Sequence, residues 1–187
     1  YVSVDQKGTL SLDDLENKLK RYNGDVKLVT VTGASNVTGV INPIHKIASL
    51  AHKYKAKILV DGAQLVPHYV VDMKPISSPE HIDYLVFSSH KMYAPFGVGV
   101  LIGWRDTFEK GTSDHVGGGT VDMVTGDFVR WNEAPYKEEA GTPNIIGVVG
   151  LIAAIKTIND INLKSIHNYE RALTDYATSN IKDIPDI

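Results

Sequence analysis

The chain has 187 residues, 43% hydrophobic and 22% charged, with 19 Lys plus Arg against 22 Asp plus Glu and a net charge of −3. A balance so close to neutral, with no long basic run, argues against a nucleic-acid backbone as the main partner. Without cysteine these residues hold no disulfide, thiolate ligand or thiol nucleophile, and no apolar run approaches the ~20 residues of a membrane helix.

The length suits one domain. The sequence opens on Tyr1 in an extended stretch without a signal peptide and reads as a piece of a longer soluble protein. Its first regular unit is Ser11–Tyr22, where Leu12, Leu15, Leu19 and Tyr22 recur at helical spacing. Ser11 is placed to cap it, Asn23-Gly24 stops it, and Asp13, Asp14, Glu16, Lys18, Lys20 and Arg21 form its wet face. Val26–Val31 is β-branched and predicts a strand. Gly33 to Asn42, rich in Gly, Asn, Ser and Thr, reads as the loop at its carboxyl end. Asn42-Pro43 then opens a helix, an Asn cap with Pro in the first turn, and Ile44, Ile47, Ala48, Ala51 and Tyr54 make its buried stripe.

Two short apolar runs follow. Lys57–Val60 ends in Asp61-Gly62-Ala63-Gln64, and Tyr84–Phe87 ends in Ser88-Ser89-His90-Lys91. Val98–Trp104, with Gly97, Gly99 and Gly103, predicts a strand with close backbone approaches. Residues 105–144 read as irregular. Their Gly117-Gly118-Gly119 is a backbone-shape element, because no helical pattern and no Gly-Lys-Ser/Thr follows it as in a phosphate-binding loop. Helices are expected over Ile145–Ile158 and, more polar, from Leu163 to Asn180. The alternation predicts one α/β domain over residues 1–187, a mainly parallel sheet flanked by helices in three layers, α/β/α.

In open α/β sheets ligands gather beyond the carboxyl ends of the strands. Three loops leave such ends here, Gly33–Gly39, Asp61–Gln64 and Ser88–Lys91, and together they bring a carboxylate, an ammonium, an imidazole, hydroxyls and amides. Alone, Asp61 reads as a turn cap and Lys91 as a solvated strand-end lysine. In an apolar cleft, a lysine loses its proton more readily and the neutral amine attacks carbonyls. Paired with Asp61, Lys91 suggests a Schiff-base lysine opposite a carboxylate that keeps a pyridinium nitrogen protonated, the pairing a pyridoxal phosphate enzyme needs. Two other readings stay open: a cofactor-free Schiff-base lyase, and a non-catalytic relative that keeps the fold for partner binding. The remaining histidines, His45, His52, His68, His81, His115 and His167, are scattered without paired spacing, and no metal site is expected.

Five segments, in order, carry a family resemblance: Ser35-Asn36-Val37-Thr38-Gly39, Asp61-Gly62-Ala63-Gln64, Ser88 to Pro95 with Gly97-Val98-Gly99, Gly117-Gly118-Gly119, and Glu139-Ala140-Gly141-Thr142-Pro143-Asn144. Through them the chain resembles the class V aminotransferase group of fold-type I pyridoxal phosphate enzymes, and within it the cysteine desulfurases and selenocysteine lyases of the SufS type. The resemblance covers most of the chain up to Ile158.

It implies that Lys91 forms the internal aldimine and moves the α-carbon proton, that Asp61 pairs with the ring nitrogen, and that Gln64 bonds the ring oxygen. Ser88 and His90 would hold the phosphate, and Asn36 would lie near the ring oxygen or the substrate carboxylate. Thr142 would reach the cofactor phosphate of a partner subunit in a homodimer. The substrate is expected to be a small amino acid and the location cytoplasmic. The resemblance also implies parts that these residues lack: an upstream segment with a ring-stacking side chain, and a small C-terminal domain with a carboxylate-binding arginine and a sulfur-accepting cysteine. The chain therefore matches the middle of the large domain, and on its own it is expected to retain cofactor weakly and to be inactive.

Overall fold

The computed structural model describes residues 1–95, 97–182 and 184. Helix α1 (Leu12–Tyr22) starts where Ser11 caps it, its side chain accepting from the Asp14 N–H, and ends at Asn23 in a left-handed conformation. Strand β1 is Leu28–Thr32, α2 is Ile44–Lys53, β2 is Lys57–Asp61 and β3 is Tyr84–Ser88. A single 3₁₀ turn, Ser89–Met92, leads to β4 (Gly99–Ile102). Then come α3 (Arg105–Lys110), the strands β5 (Val121–Val124) and β6 (Val129–Trp131), a second 3₁₀ turn at Tyr136–Glu138, and helices α4 (Ile145–Ile161) and α5 (Leu163–Ile181). No single described helix is long and apolar enough to cross a membrane.

The main sheet has the order β1-β2-β3-β4. The first three strands are parallel, with Thr32 opposite Asp61 and Asp61 opposite Val86, and β4 returns antiparallel, with Ser88 opposite Gly99. Side chains alternate across a strand, so Ile58, Val60, Leu85 and Phe87 share one face. Ile58 and Val60 are fully buried there against α2, whose Ala48 and Ala51 are also fully buried. Those two alanines allow the helix to lie close on the sheet. Asp61, Val86 and Ser88 share the opposite face.

The expected strand over Val26–Val31 is shifted two residues at its start, because Lys57 N–H bonds to the Lys27 carbonyl just before the ladder opens at Leu28. Asn42 does not cap α2 with its side chain: its amide donates to the Thr32 carbonyl at 2.9 Å, and Pro43 holds the cap position. Tertiary anchoring of the loop to β1 has taken that side chain from the helix. The segment 105–144 is more regular than expected. Besides α3, it folds β5 and β6 into an antiparallel hairpin, and Asn132 on its second arm donates to the Gly119 carbonyl at 2.8 Å. That contact and the Gly141 N–H on the Gly118 carbonyl, 2.8 Å, fix the triple glycine, whose Gly119 takes φ +86°.

Helix α4 runs three residues past the expected end. The apolar stripe Ile145, Val148, Val149 and Ile152 is exposed, and the buried positions are Gly147, Leu151 and Ile158. With Met92 these last two side chains form a second core cluster, against which Phe87, Val98 and Val100 pack. A Cβ on Gly150 would stand 2.6 Å from Pro95 Cδ, and one on Gly147 2.5 Å from Val98 Cγ2. The absence of side chains at these two points lets α4 press on the segment between the 3₁₀ turn and β4.

Two outcomes follow from these contacts. Alanine at position 150 gains about 1 kcal/mol of helix propensity but meets the proline ring, and overpacking costs about 1–3 kcal/mol. Gly150→Ala therefore lowers the denaturant midpoint, while a gain in stability would mean that α4 is not seated on Pro95. Asp14 supplies the second outcome. Lys18 first, then the Ser3 N–H at 2.7 Å and hydroxyl at 2.9 Å, hold its carboxyl down from 3.8 to about 2. A carboxyl lowered by folding stabilises the native state above its unfolded value and loses that contribution as pH falls through the folded value. Acid unfolding followed by circular dichroism is accordingly shallower in Asp14→Asn across this window.

Candidate active site

The carboxyl ends of β1, β2 and β3 lie side by side, and a polar loop leaves each. After β1, the Ser35 hydroxyl accepts from the N–H groups of Val37 and Thr38, at 3.2 and 3.1 Å, and Gly39 (φ +69°) closes the turn on the Ser35 carbonyl at 3.1 Å. Asn36 stands exposed on its outer side. After β2, Asp61 Oδ1 accepts from Ala63 N–H at 2.9 Å, so this side chain does cap its own turn as the plainer sequence reading has it. That bond uses one oxygen and leaves the second without a hydrogen-bond partner among the described residues. Gly62 is boxed in: a Cβ there would sit 2.8 Å from both Leu85 Cδ1 and Val66 Cγ2.

After β3, Ser89 is fully buried, its hydroxyl on the Pro95 carbonyl at 2.9 Å and its N–H on the Val98 carbonyl at 3.0 Å. Met92 is buried in the α4 cluster, and Tyr93 ends the turn at φ +60°. Ser89 and Met92 are thus its two anchors, which leaves His90 exposed and Lys91 half-buried between them. Lys91 has no ion pair among the described residues, so its amine is available.

The register brings Asp61 and the Lys91 turn onto adjacent strands. Asp61 and Ser88 also share the sheet face away from α2, at the same edge. Gln64 lies on the helical turn that follows Asp61, whose Leu65, Val66 and Tyr69 N–H groups bond back to the Gly62 and Leu65 carbonyls. Thr142 is placed elsewhere, exposed on the loop before α4 and making no hydrogen bond among the described residues.

A cleft of about 880 Å³ takes in Asn36 and Gln64 and is closed on its far side by α5, through Glu170 and Arg171. Asp61 and Lys91 are not among its lining residues. His68 Nδ1 meets Glu170 Oε1 at 2.8 Å, and the Tyr69 and His167 rings stand 4.5 Å apart, so α5 is fastened to the turn that carries Gln64. The sequence reading did not single out Glu170 or Arg171, and 102 residues separate His68 from its partner. No local pattern reveals such a pairing.

The donors fit the group that the sequence reading proposed. An amine without an ion pair and a carboxylate with an open oxygen, among the described residues, belong to adjacent strand ends, and the same loops carry amide, hydroxyl and imidazole groups.

The class-V aminotransferase family profile matches residues 1–187. The chain is 38% identical, over 98% of its length, to a probable cysteine desulfurase of Halalkalibacterium halodurans, and 38% identical over its whole length to a cysteine desulfurase of Klebsiella pneumoniae. It spans 44% of the length of each. Among solved structures, an apo cysteine desulfurase from Thermococcus onnurineus NA1 matches with a TM-score of 0.88 and 35% identity, over 98% of this chain and 44% of that one. The cysteine desulfurase CsdA from Escherichia coli, in an S-sulfonic acid form, matches with a TM-score of 0.86 and 30% identity, over 97% and 44%.

Proposed function

Because the chain belongs to the class-V aminotransferase family, we propose that it forms the central part of the cofactor-binding domain of a pyridoxal phosphate enzyme that acts on an amino acid. The relatives named cysteine desulfurase support cysteine as that amino acid. The observation that carries the reading is the placing of Asp61 and the Lys91 turn on adjacent parallel strands at one edge of the sheet.

In this reading Lys91 would hold the cofactor through its amine, and that amine would move the proton at the substrate α-carbon. The open oxygen of Asp61 would accept from the ring N–H and so keep that nitrogen protonated. Gln64 would donate to the ring oxygen, Ser88 and His90 would donate to the phosphate dianion, and Asn36 would face the ring oxygen or the substrate carboxylate. Bound there, pyridoxal phosphate supplies the electron sink for the α-carbanion. The chain holds no cysteine, so a sulfur acceptor comes from outside these 187 residues.

The proposal extends to a cytoplasmic homodimer in which Thr142 reaches the partner's cofactor phosphate. Its support is the apolar surface beside Thr142, where Ile145, Ile146 and Val149 are 66%, 83% and 59% exposed on α4. Monomeric surfaces rarely leave such patches open.

Each half of the proposal has a measurement. Borohydride reduction in the presence of pyridoxal phosphate, followed by peptide mapping, is expected to place the pyridoxyl label on Lys91. A hydrogen bond to a charged group contributes about 1.5–3 kcal/mol, so Asp61→Asn lowers the retained fraction roughly tenfold or more. Label spread evenly over surface lysines, or unchanged in Asp61→Asn, ends the assignment. For assembly, Ile146→Lys places a charge in the apolar patch and weakens the dimer at least roughly tenfold in sedimentation equilibrium. A wild-type chain that sediments as a monomer at high concentration refutes the dimer.

A further inference from the structure

The helical turn that carries Gln64 has two sides. Leu65 and Pro67 are buried on one of them, and a Cβ on Gly33 would stand 2.8 Å from Leu65 Cδ2. Gln64 and His68, one helical turn apart, share the other side, and both line the cleft of about 880 Å³. Backbone bonds fix the near end of the turn, where the Leu65 and Val66 N–H groups reach the Gly62 carbonyl at 3.0 and 2.9 Å. At the far end the His68 and Tyr69 N–H groups share a single carbonyl, that of Leu65, at 3.2 and 2.9 Å. Val70 beyond them is exposed.

Helix α5 meets this far end. The His68 Nδ1–H donates to Glu170 Oε1 at 2.8 Å, and the Tyr69 ring packs on His167 with centroids 4.5 Å apart. The helix has few other holds. No described residue of α5 is buried; Leu163 and Ile166 in its first turn pack against the second core cluster, and from Arg171 to Ile181 every residue is exposed. Glu170 is the last side chain of α5 that is not exposed.

Burial of Leu65 and Pro67 sets the depth of the turn, but it does not stop the turn from rotating about its own axis. A tether on the outer side does. His68 and Gln64 lie on that side, so a rotation that displaces one displaces the other. We propose that Glu170 is a positioning residue for Gln64: by holding His68 it sets the direction in which the Gln64 amide is presented to the cofactor's ring oxygen. This role rests on the cofactor reading of Gln64 and goes beyond it, since Glu170 itself touches neither cofactor nor substrate.

The size of the effect is bounded. Coupling between two sites is reciprocal, so the tether adds no more to cofactor binding than it adds to holding the turn. The His68 and Glu170 side chains are 34% and 35% exposed, and pairs open to solvent to this degree shift an equilibrium by at most roughly fivefold. Glu170 also brings a charge to the cleft, which Arg171 lines as well. Glu170→Gln separates the two contributions, because it removes the charge and keeps an acceptor for the His68 Nδ1–H.

Two measurements on the whole chain test this, the first without cofactor. In hydrogen exchange, Glu170→Ala lowers the protection of the Leu65, Val66 and Tyr69 N–H groups roughly two- to fivefold, and Glu170→Gln restores most of it. The second reads the pyridoxal phosphate concentration at which borohydride labels half of Lys91. Glu170→Ala raises it by up to roughly fivefold, Glu170→Gln leaves it near the wild-type value, and in a Gln64→Ala background Glu170→Ala has no further effect. That double-mutant cycle separates a role exercised through Gln64 from a general loosening, which acts equally in both backgrounds. Unchanged protection in Glu170→Ala, or an equal loss of labelling with and without Gln64, overturns the positioning role and leaves the cofactor reading standing. A wild-type chain without Lys91 labelling, or a Gln64→Ala chain that labels as the wild type does, overturns the cofactor reading of Gln64 and the positioning role with it.

Discussion

The parallel pairing of β1, β2 and β3 governs what the rest of this chain does. Parallel strands need a crossover between them, so each ends on the same edge, and the loop that leaves it is released at that edge. The register places Thr32, Asp61 and Val86 in one row, and Ser88 extends the same face by two residues. Every polar group assigned to cofactor binding, Thr142 excepted, hangs from those three ends. A shift of one residue in the β2–β3 pairing would send Asp61 to the α2 side, burying a carboxylate there, and turn Ile58 and Val60 out of the core.

Support for that edge comes from behind it. The Lys91 turn is short and strained at Tyr93, and it keeps its shape because Ser89 and Met92 are buried on either side of it. Met92 is held by α4, whose closeness depends on Gly147 and Gly150. The helix thus fixes the backbone from which the Lys91 amine projects. A second, separate fastening works on Gln64, where α5 grips its turn through His68 and Glu170.

Much of this was legible in the sequence, and the reasons are local. Leu12, Leu15 and Leu19 mark one helical face, Ser11 caps it, and the apolar runs ending in Asp61 and Ser88 are too short for helices. What was not legible depended on distant packing. Asn42 has the chemistry of a cap but is drawn away by the Thr32 carbonyl. Helix α4 is apolar on all sides, so periodicity alone does not tell which side is buried; the nearness of Pro95 and Val98 decides, and they choose the glycine face. The β5–β6 hairpin carries weak local cues, Val-Asp-Met-Val and Val-Arg-Trp around Gly126, that glycine-rich surroundings obscured. His52 and His81, scattered in the sequence, stack with ring centroids 4.1 Å apart through the crossover between β2 and β3, which no spacing rule contains.

The antiparallel return of β4 links the two ends of the molecule. It leaves the Lys91 turn at Gly99, opposite Ser88, and arrives beside Asp83, where Trp104 is tethered by its indole N–H. Near the other end, the Val98 carbonyl is tethered by the Ser89 N–H. A strand of this kind neither stretches nor compresses appreciably, at about 3.4 Å per residue. With both extremities clamped, β4 acts as a spacer bar that forbids the 3₁₀ turn from sliding along β3, so the position of the Lys91 turn is gauged from a knot on the far side of the sheet.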